Sequence, residues 1–193
     1  PKFPQLYIFD TIFYFYNKNK KNTFLDVVRK LLNNISSKGI YDHLGGGISR
    51  YTVDEKWIVP HFEKMLYDNI LFVRTVNNYL VNKQDKKLND KLIQTINFIN
   101  NEFLNDKNLL GSAYDADSEG VEGKYYVWSA EEIKELLGND IDIFKKKYLV
   151  TKEGNFEGSN ILIENDNYEL SEKELEILNT SEKKLLDERK KRV

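Results

Sequence analysis

Residues able to move protons are concentrated in the stretch 39–69, which holds both histidines of the chain and a triple glycine. His61 is followed by Glu63 and Asp68, and His43 stands just before the glycines. Histidine and carboxylate groups are the side chains that most often act as general acids and bases. We therefore predict a reaction centre here, with His61, Glu63 and Asp68 as catalytic residues and His43 as a substrate-binding residue. The structural alternative is a tight glycine turn in which a hydrogen bond from His43 fixes the loop.

A second patch places Asp115, Asp117, Glu119 and Glu122 around two glycines. Paired carboxylates are what glycoside hydrolysis requires, so Asp115 and Asp117 join the catalytic candidates. A loop held by hydrogen bonds is the structural alternative. Calcium is a weaker one, because the opening resembles an EF-hand loop but the position of its closing glutamate is occupied by Tyr126. We expect no metal site and no cofactor.

Four further side chains are suited to holding a sugar substrate, namely Arg50, Tyr51, Trp57 and Trp128. An arginine offers a fork of donors to a carboxylate or phosphate, and aromatic faces pack on sugar rings. Each candidate also has a structural alternative. The aromatic residues would fill a helical core, and Arg50 would pair with Asp42 or Asp54.

The apolar spacing after Pro60 predicts a helix over residues 62–82, with the proline at its start. His61 would then lie at a helix N-terminus, where the helix dipole favours the neutral imidazole that a general base requires. Such a base would abstract a proton from a sugar. A structural His61 bound to a backbone carbonyl is the alternative.

The composition narrows the class of protein. With 193 residues, of which 40% are hydrophobic, the chain is long enough for one domain with a real core. The net charge of −2 favours neither nucleic acid nor an anionic membrane as a partner, and the basic run 189–192 is interpreted as a solvated helix end. Cysteine is absent, which excludes disulfides and thiolate catalysis. We expect a soluble, cytoplasmic protein.

Helical periodicity dominates the remaining pattern and predicts a mainly α fold. Two helical hairpins are expected, the first from segments 5–16 and 23–39 and the second from 62–82 and 88–104. Short strands are predicted in the connecting loops, over residues 48–53, 56–59, 125–128 and 160–163. Capping-box sequences at Ser129 and Ser171 predict two further helix starts.

Several of these segments together resemble the spermatogenesis-associated protein 20 family. The resemblance rests on residues 1–4, 42–51, 57–69, 115–128 and 154–158. It departs at Ile48-Ser49, where many relatives carry Phe-His, and this removes a third histidine. The family resembles a thioredoxin-like domain joined to an (α/α)6 toroid of the six-hairpin glycosidase type.

The resemblance implies that residues 1–193 are a fragment, the first half of the toroid, with the thioredoxin-like domain upstream and absent here. Half a toroid would leave apolar faces uncovered, so we expect the isolated fragment to aggregate. Similarity to N-acylglucosamine 2-epimerases and six-hairpin glycosidases implies a carbohydrate-active or carbohydrate-binding protein. If it is catalytic, proton abstraction or glycosidic hydrolysis is the reaction class. The alternative is a non-catalytic module beside a domain with a redox or partner-binding role.

Overall fold

The computed structural model describes residues 1–165 and 167–192. About half of the chain is helical, which confirms a mainly α protein. In these described ranges seven α-helices follow one another, α1 to α7, with the bounds Phe9–Asn19, Asn22–Ser37, Leu66–Leu80, Lys86–Phe98, Ala130–Leu137, Ile141–Lys147 and Glu172–Arg189. Single 3-10 turns occur at Leu6–Ile8 and Gly138–Asp140, and a π-helical turn at Ile99–Phe103 continues α4.

The first four helices share one hydrophobic core. Helix α1 packs on α2, and α3 packs on α4, as the two predicted hairpins require. The residues at their centre recur at three- and four-residue spacing and are fully buried, among them Val28, Leu32, Ile35, Phe72 and Val76. This spacing puts the apolar side chains on one face of each helix, so burying that face holds the pairs together.

A second core forms where α5, α6 and α7 meet the loops between them. Ser129 and Glu132 make the predicted capping box at the start of α5, and Ser171 and Glu174 make the one at the start of α7. Each box satisfies backbone N–H groups that a helix leaves unpaired at its N-terminus. Both predicted helix starts are therefore confirmed.

The strands are short and antiparallel. Among the residues that the structure describes, six strands, β1 to β6, form three two-stranded ladders, with the bounds Tyr51–Thr52, Pro60–His61, Lys64–Met65, Ala113–Tyr114, Asp117–Ser118 and Val121–Glu122. The ladders are β1 with β2, β3 with β4 and β5 with β6. Strands are predicted over residues 48–53 and 56–59, but the structure pairs Tyr51 with His61 and Thr52 with Pro60.

Residues 60–65 are extended rather than helical, so the predicted helix start at Pro60 is wrong. Burial alternates along this run, since Pro60, Phe62 and Lys64 are buried while the residues between them are partly exposed. Alternation of this kind is the period of a strand. Helix α3 begins only at Leu66, and His61 lies in strand β2. His61 is therefore not at a helix N-terminus, and the predicted effect of a helix dipole on it is wrong.

Two other predicted elements differ in detail. Residues 125–128 form a turn that ends in a single bridge between Trp128 and Asn160, so the predicted strand there is absent. Residues 161–163 likewise form no regular strand. Asn160 explains this, because its side chain bonds the backbone of Thr151 and Trp128 and anchors the loop without a ladder.

The triple glycine allows close packing of the backbone. Gly46 and Gly47 both have positive φ, at 85° and 82°. A Cβ on Gly47 would lie 2.5 Å from the Phe98 ring and 2.8 Å from Asn69 Oδ1. Asn69 in turn bonds both the N–H and the C=O of Ile48, which ties the loop to α3.

We predict that Gly47→Ala lowers the free energy of unfolding by about 2–4 kcal/mol, because a methyl group adds overpacking to the cost of positive φ. Gly120→Ala is the matched control, since Gly120 has φ of 77° and no atom within 4 Å of the added carbon. It should cost only about 1 kcal/mol. Equal losses in chemical denaturation would show that the packing around Gly47 is not the cause.

Within the described residues, no helix combines the length and the apolar character that crossing a membrane requires.

Candidate functional site

A cleft of about 480 Å³ opens between the end of α4, strands β4 and β5 and the end of α7. Its walls carry two kinds of side chain. Aromatic rings come from Phe98, Tyr114, Tyr125 and Tyr126, and acidic groups from Asp42, Glu102, Asp115 and Asp117. Lys64 and Arg189 also reach it.

The floor of the cleft is a buried ion cluster of Asp42, Lys64 and Arg189. The Arg189 guanidinium donates two parallel hydrogen bonds to the Asp42 carboxylate, at 2.9 and 2.8 Å. Lys64 Nζ donates to the same carboxylate at 2.8 Å. All three side chains are at most 7% exposed. The planar fork of an arginine matches a carboxylate, so this pair is fixed in orientation as well as in distance.

Asp42 also organises the glycine loop. Its Oδ1 accepts hydrogen bonds from the backbone N–H groups of Leu44 and Gly45, at 3.1 and 2.9 Å. Burial alone would raise the pKa of Asp42, but Arg189 and Lys64 outweigh it and hold the pKa well below the ordinary value. The carboxylate therefore stays ionised throughout the physiological range.

We predict that Asp42→Asn lowers the free energy of unfolding by about 3–5 kcal/mol at neutral pH, because it leaves two buried cations without a counter-charge. The asparagine oxygen can still accept the two loop N–H bonds, so the loss isolates the charge. The measurement is chemical denaturation, with the exposed Asp106→Asn as control. Because the pKa of Asp42 is lowered on folding, wild type should lose this advantage only as the pH falls below 3.8.

The rim of the cleft carries exposed acids. Asp115 and Asp117 are both exposed, and Asp115 Oδ1 accepts a hydrogen bond from the N–H of Asp117 at 3.2 Å. The following Glu119-Gly120 pair forms the two-residue turn of the β5–β6 hairpin, with φ of 54° and 77°. Two positive φ values are the requirement of a type I′ turn. The resemblance to a calcium loop thus comes from hairpin turn chemistry.

The other predicted catalytic residues form a second cluster outside the cleft lining. The His61 ring stacks on Tyr51 at 4.9 Å, and its Nδ1 lies 2.7 Å from Glu122 Oε1. Arg50 donates to Glu63 at 3.1 Å rather than to either aspartate that the sequence suggested. Since Glu122 is the cross-strand partner of Asp117, hairpin β5–β6 connects this cluster to the rim.

Asp68 is the perturbed carboxyl of the second cluster. Burial raises its pKa from the ordinary 3.8 to about 6, although Arg50 and a hydrogen bond with Tyr67 oppose the rise. Its Oδ2 is buried and has no hydrogen-bond partner among the described residues. A carboxyl that titrates near neutral pH is suited to proton transfer, which keeps Asp68 a catalytic candidate.

We predict that Asp68→Asn becomes progressively more stable than wild type between pH 3.8 and about 6. In that window the folded state binds more protons at Asp68 than the unfolded state, so the stability of wild type falls with rising pH. Allowing for solvent screening of this partly exposed group, the relative gain should be roughly 1 kcal/mol. Denaturation curves across this range test it. Parallel curves for the variant and wild type would show that the pKa is not raised.

His43 lies in a buried network away from the rim. It is 3% exposed, its Nε2 is 3.1 Å from the Lys38 carbonyl, and its Nδ1 lies near Lys91 and Glu164. Burial is the largest cause that lowers its pKa to about 4, and Lys91 adds to it. Three lysines and His43 surround the Glu164 carboxylate within 3.3 Å. The structure thus places His43 as a tether between chain segments, which does not favour substrate contact.

The two tryptophans also lie in the interior. Trp57 is 5% exposed in the first core, and Trp128 is 1% exposed in the second. Trp128 is covered by Arg192, whose guanidinium lies 3.8 Å from the ring centre and donates to the carbonyls of residues 124, 125 and 127. The interpretation of residues 189–192 as a solvated helix end is therefore wrong for both arginines. Neither tryptophan offers a free face to a sugar.

The most buried charges of the cleft were not among the predicted site residues. Lys64 falls within the helix predicted over residues 62–82, and Arg189 falls within the basic run predicted to be a solvated helix end. The alternation of Pro60, Phe62 and Lys64 with polar neighbours is the signal that would have indicated an inward-pointing lysine. No local pattern indicates Arg189, because its partner Asp42 is 147 positions away.

Metal binding finds no support in the geometry. Across residues 1–165 and 167–192, no three His, Asp or Glu side chains come together in a group that could hold a metal ion.

Comparison with known proteins gives distant but extensive similarity. No family model matches the chain. An uncharacterized protein of Caenorhabditis elegans is 33% identical over 72% of the chain. Proteins named spermatogenesis-associated protein 20 are 28% identical over 82% of the chain in Homo sapiens and 27% identical over all of it in Rattus norvegicus.

The chain spans 21% to 29% of the length of these curated relatives. The matches nevertheless cover most of the length of this chain. The rat match extends over the whole chain, so it includes residues 39–69 and 115–128, which contribute to the candidate site. The comparisons thus support the resemblance to the spermatogenesis-associated protein 20 family.

Proposed function

We propose that the cleft binds a carbohydrate. The observation that carries this proposal is that aromatic side chains and solvent-exposed carboxylates line the same cleft, which has a volume of about 480 Å³. Tyr114, Tyr125 and Tyr126 offer flat apolar surfaces of the kind on which the C–H faces of sugar rings pack. Asp115, Asp117 and Glu102 offer acceptors for sugar hydroxyls. Ligand sites generally combine an apolar wall with a few placed polar groups in this way.

If the protein is an enzyme, its reaction is proton abstraction from a sugar or glycosidic hydrolysis. Asp115 and Asp117 are the acids at the opening, and Asp68 has the pKa of a group that exchanges protons near neutral pH. His61 is oriented through Glu122 and the β5–β6 hairpin. This proposal extends to the architecture, in which the helical hairpins belong to an (α/α)6 toroid with the cleft at its mouth, and to a cytoplasmic location.

A non-catalytic module is the second candidate, and a specific observation favours it. Many of the motif residues are committed to the fold, since His43, Trp57 and Trp128 are buried and the glycine loop is closely packed. In that case the same motifs rigidify the helices, and redox or partner recognition comes from a thioredoxin-like domain elsewhere in the protein.

We predict that Asp117→Asn weakens sugar binding by the full-length protein by about tenfold or more, because it replaces a carboxylate oxygen acceptor at the rim with an amide N–H₂ donor. Asp117 is chosen because it is exposed, so its loss should leave the melting temperature without ligand unchanged. The measurement is thermal shift, followed by calorimetry, with neutral mono- and disaccharides.

Asp106→Asn, an exposed acid outside the cleft, is the control and should bind as wild type does. Absence of any shift with every sugar, in wild type as in both variants, would sink the carbohydrate proposal and favour the non-catalytic module. Equal weakening in the two variants would show that the effect is not specific to the rim.

A further inference from the structure

The floor of the cleft carries one positive charge more than its own acid neutralises. Lys64 and Arg189 both pair with the single carboxylate of Asp42. Their side chains are 2% and 4% exposed, so water solvates neither of them well. Two buried cations around one buried anion leave a net charge of +1, and uncompensated buried charge is costly.

Donors at the floor also remain unused. Arg189 is 3% exposed, and its Nε has no hydrogen-bond partner anywhere in residues 1–165 and 167–192. Lys64 Nζ uses Asp42 and the Gly46 carbonyl as acceptors, while the ring of Phe98 lies 4.3 Å away. A lysine ammonium has a third donor, which neither of these two acceptors takes. Buried polar groups are nearly always satisfied, so unused donors beside a cleft point to a ligand acceptor.

The acids at the rim form no ion pair with these two cations within the described residues, although Glu102 acts electrostatically on Lys64. Glu102, Asp115 and Asp117 are all exposed at the opening, where water and salt screen them. Lys64 and Arg189, by contrast, are buried at the floor of the cleft and have lost most of their hydration. A ligand that entered the cleft would therefore meet hydroxyl acceptors at the rim and a positive charge at the floor.

We infer that Lys64 and Arg189 form an oxyanion subsite, so the carbohydrate of this cleft is an acidic sugar whose phosphate or carboxylate group is held at the floor. The inference rests on the proposed function and adds the substrate class and the orientation. The neutral part of the sugar lies between the tyrosines, with its hydroxyls toward Asp115 and Asp117. Phosphate and carboxylate share the same recognition chemistry, since both offer oxygens to charged donors.

The test measures binding of glucose, glucose 6-phosphate and glucuronate to the full-length protein at one fixed ionic strength, with inorganic phosphate as a separate probe. At least one of the two charged sugars should bind about tenfold or more tightly than glucose. Comparing them distinguishes a phosphate site from a carboxylate site. Lys64→Met should abolish the preference, while the bidentate pair between Asp42 and Arg189 keeps the floor folded.

Lys190→Met is the matched control, because Lys190 lines the same cleft but is exposed. It should retain the preference, and the unliganded melting temperature of each variant reports whether it is folded. If Lys64→Met does not fold, Arg189→Lys, which keeps the charge but removes Nε, should show the reduced preference instead.

The outcomes separate this inference from the proposed function. Glucose binding as tight as that of both charged sugars, or a preference lost equally in Lys190→Met, overturns the oxyanion subsite and leaves the carbohydrate proposal intact. Binding of inorganic phosphate that depends on Lys64, without binding of any sugar, supports the subsite and overturns the carbohydrate proposal. Binding of neither overturns both.

Discussion

One buried carboxylate holds the two parts of this chain in register. Asp42 receives the fork of Arg189 from the last helix, the ammonium of Lys64 from an extended strand and two backbone N–H groups from its own loop. These groups come from opposite ends of the sequence, and their charges fix both distance and direction. These ion pairs therefore set the relative positions of the glycine loop, strand β3 and helix α7. They do so beside the cleft, where apolar side chains do not fill the space between these segments.

Burying the three charged side chains costs free energy, and neighbouring side chains offset part of it. Buried ions lose their hydration, and replacing it requires several fixed partners for each one. The aromatic residues supply part of this, since Tyr125 and Tyr126 lie about 5 Å from the Arg189 guanidinium and Phe98 lies under Lys64. The same rings form the wall of the cleft. The same aromatic side chains thus stabilise the buried ions and form the wall of the proposed binding site.

Local patterns predicted the helices well and the extended segments poorly. The paired helices and both capping boxes follow from apolar spacing and from contacts three residues apart, which a sequence displays directly. Residues 62–65 fall within the predicted helix because the apolar spacing of α3 continues backward through Met65 and Phe62. What decides otherwise is pairing of β3 with β4, across almost fifty positions, and no local pattern records it. Arg189 was missed for the same reason, since its burial depends on Asp42.

The separation between Asp42 and Arg189 also bears on the order in which the molecule is assembled. The helical hairpins close short loops, but this ion pair closes a loop of 147 positions and is among the most remote contacts of the chain. The chain loses conformational entropy when it closes a loop of that length, and this loss comes before the contact can contribute any stabilisation. The buried residues of the first core all lie between Leu6 and Leu88, so that core can form before α7 has been synthesised. The ion cluster at the floor of the cleft requires Arg189 and is therefore completed later than the core that supports it.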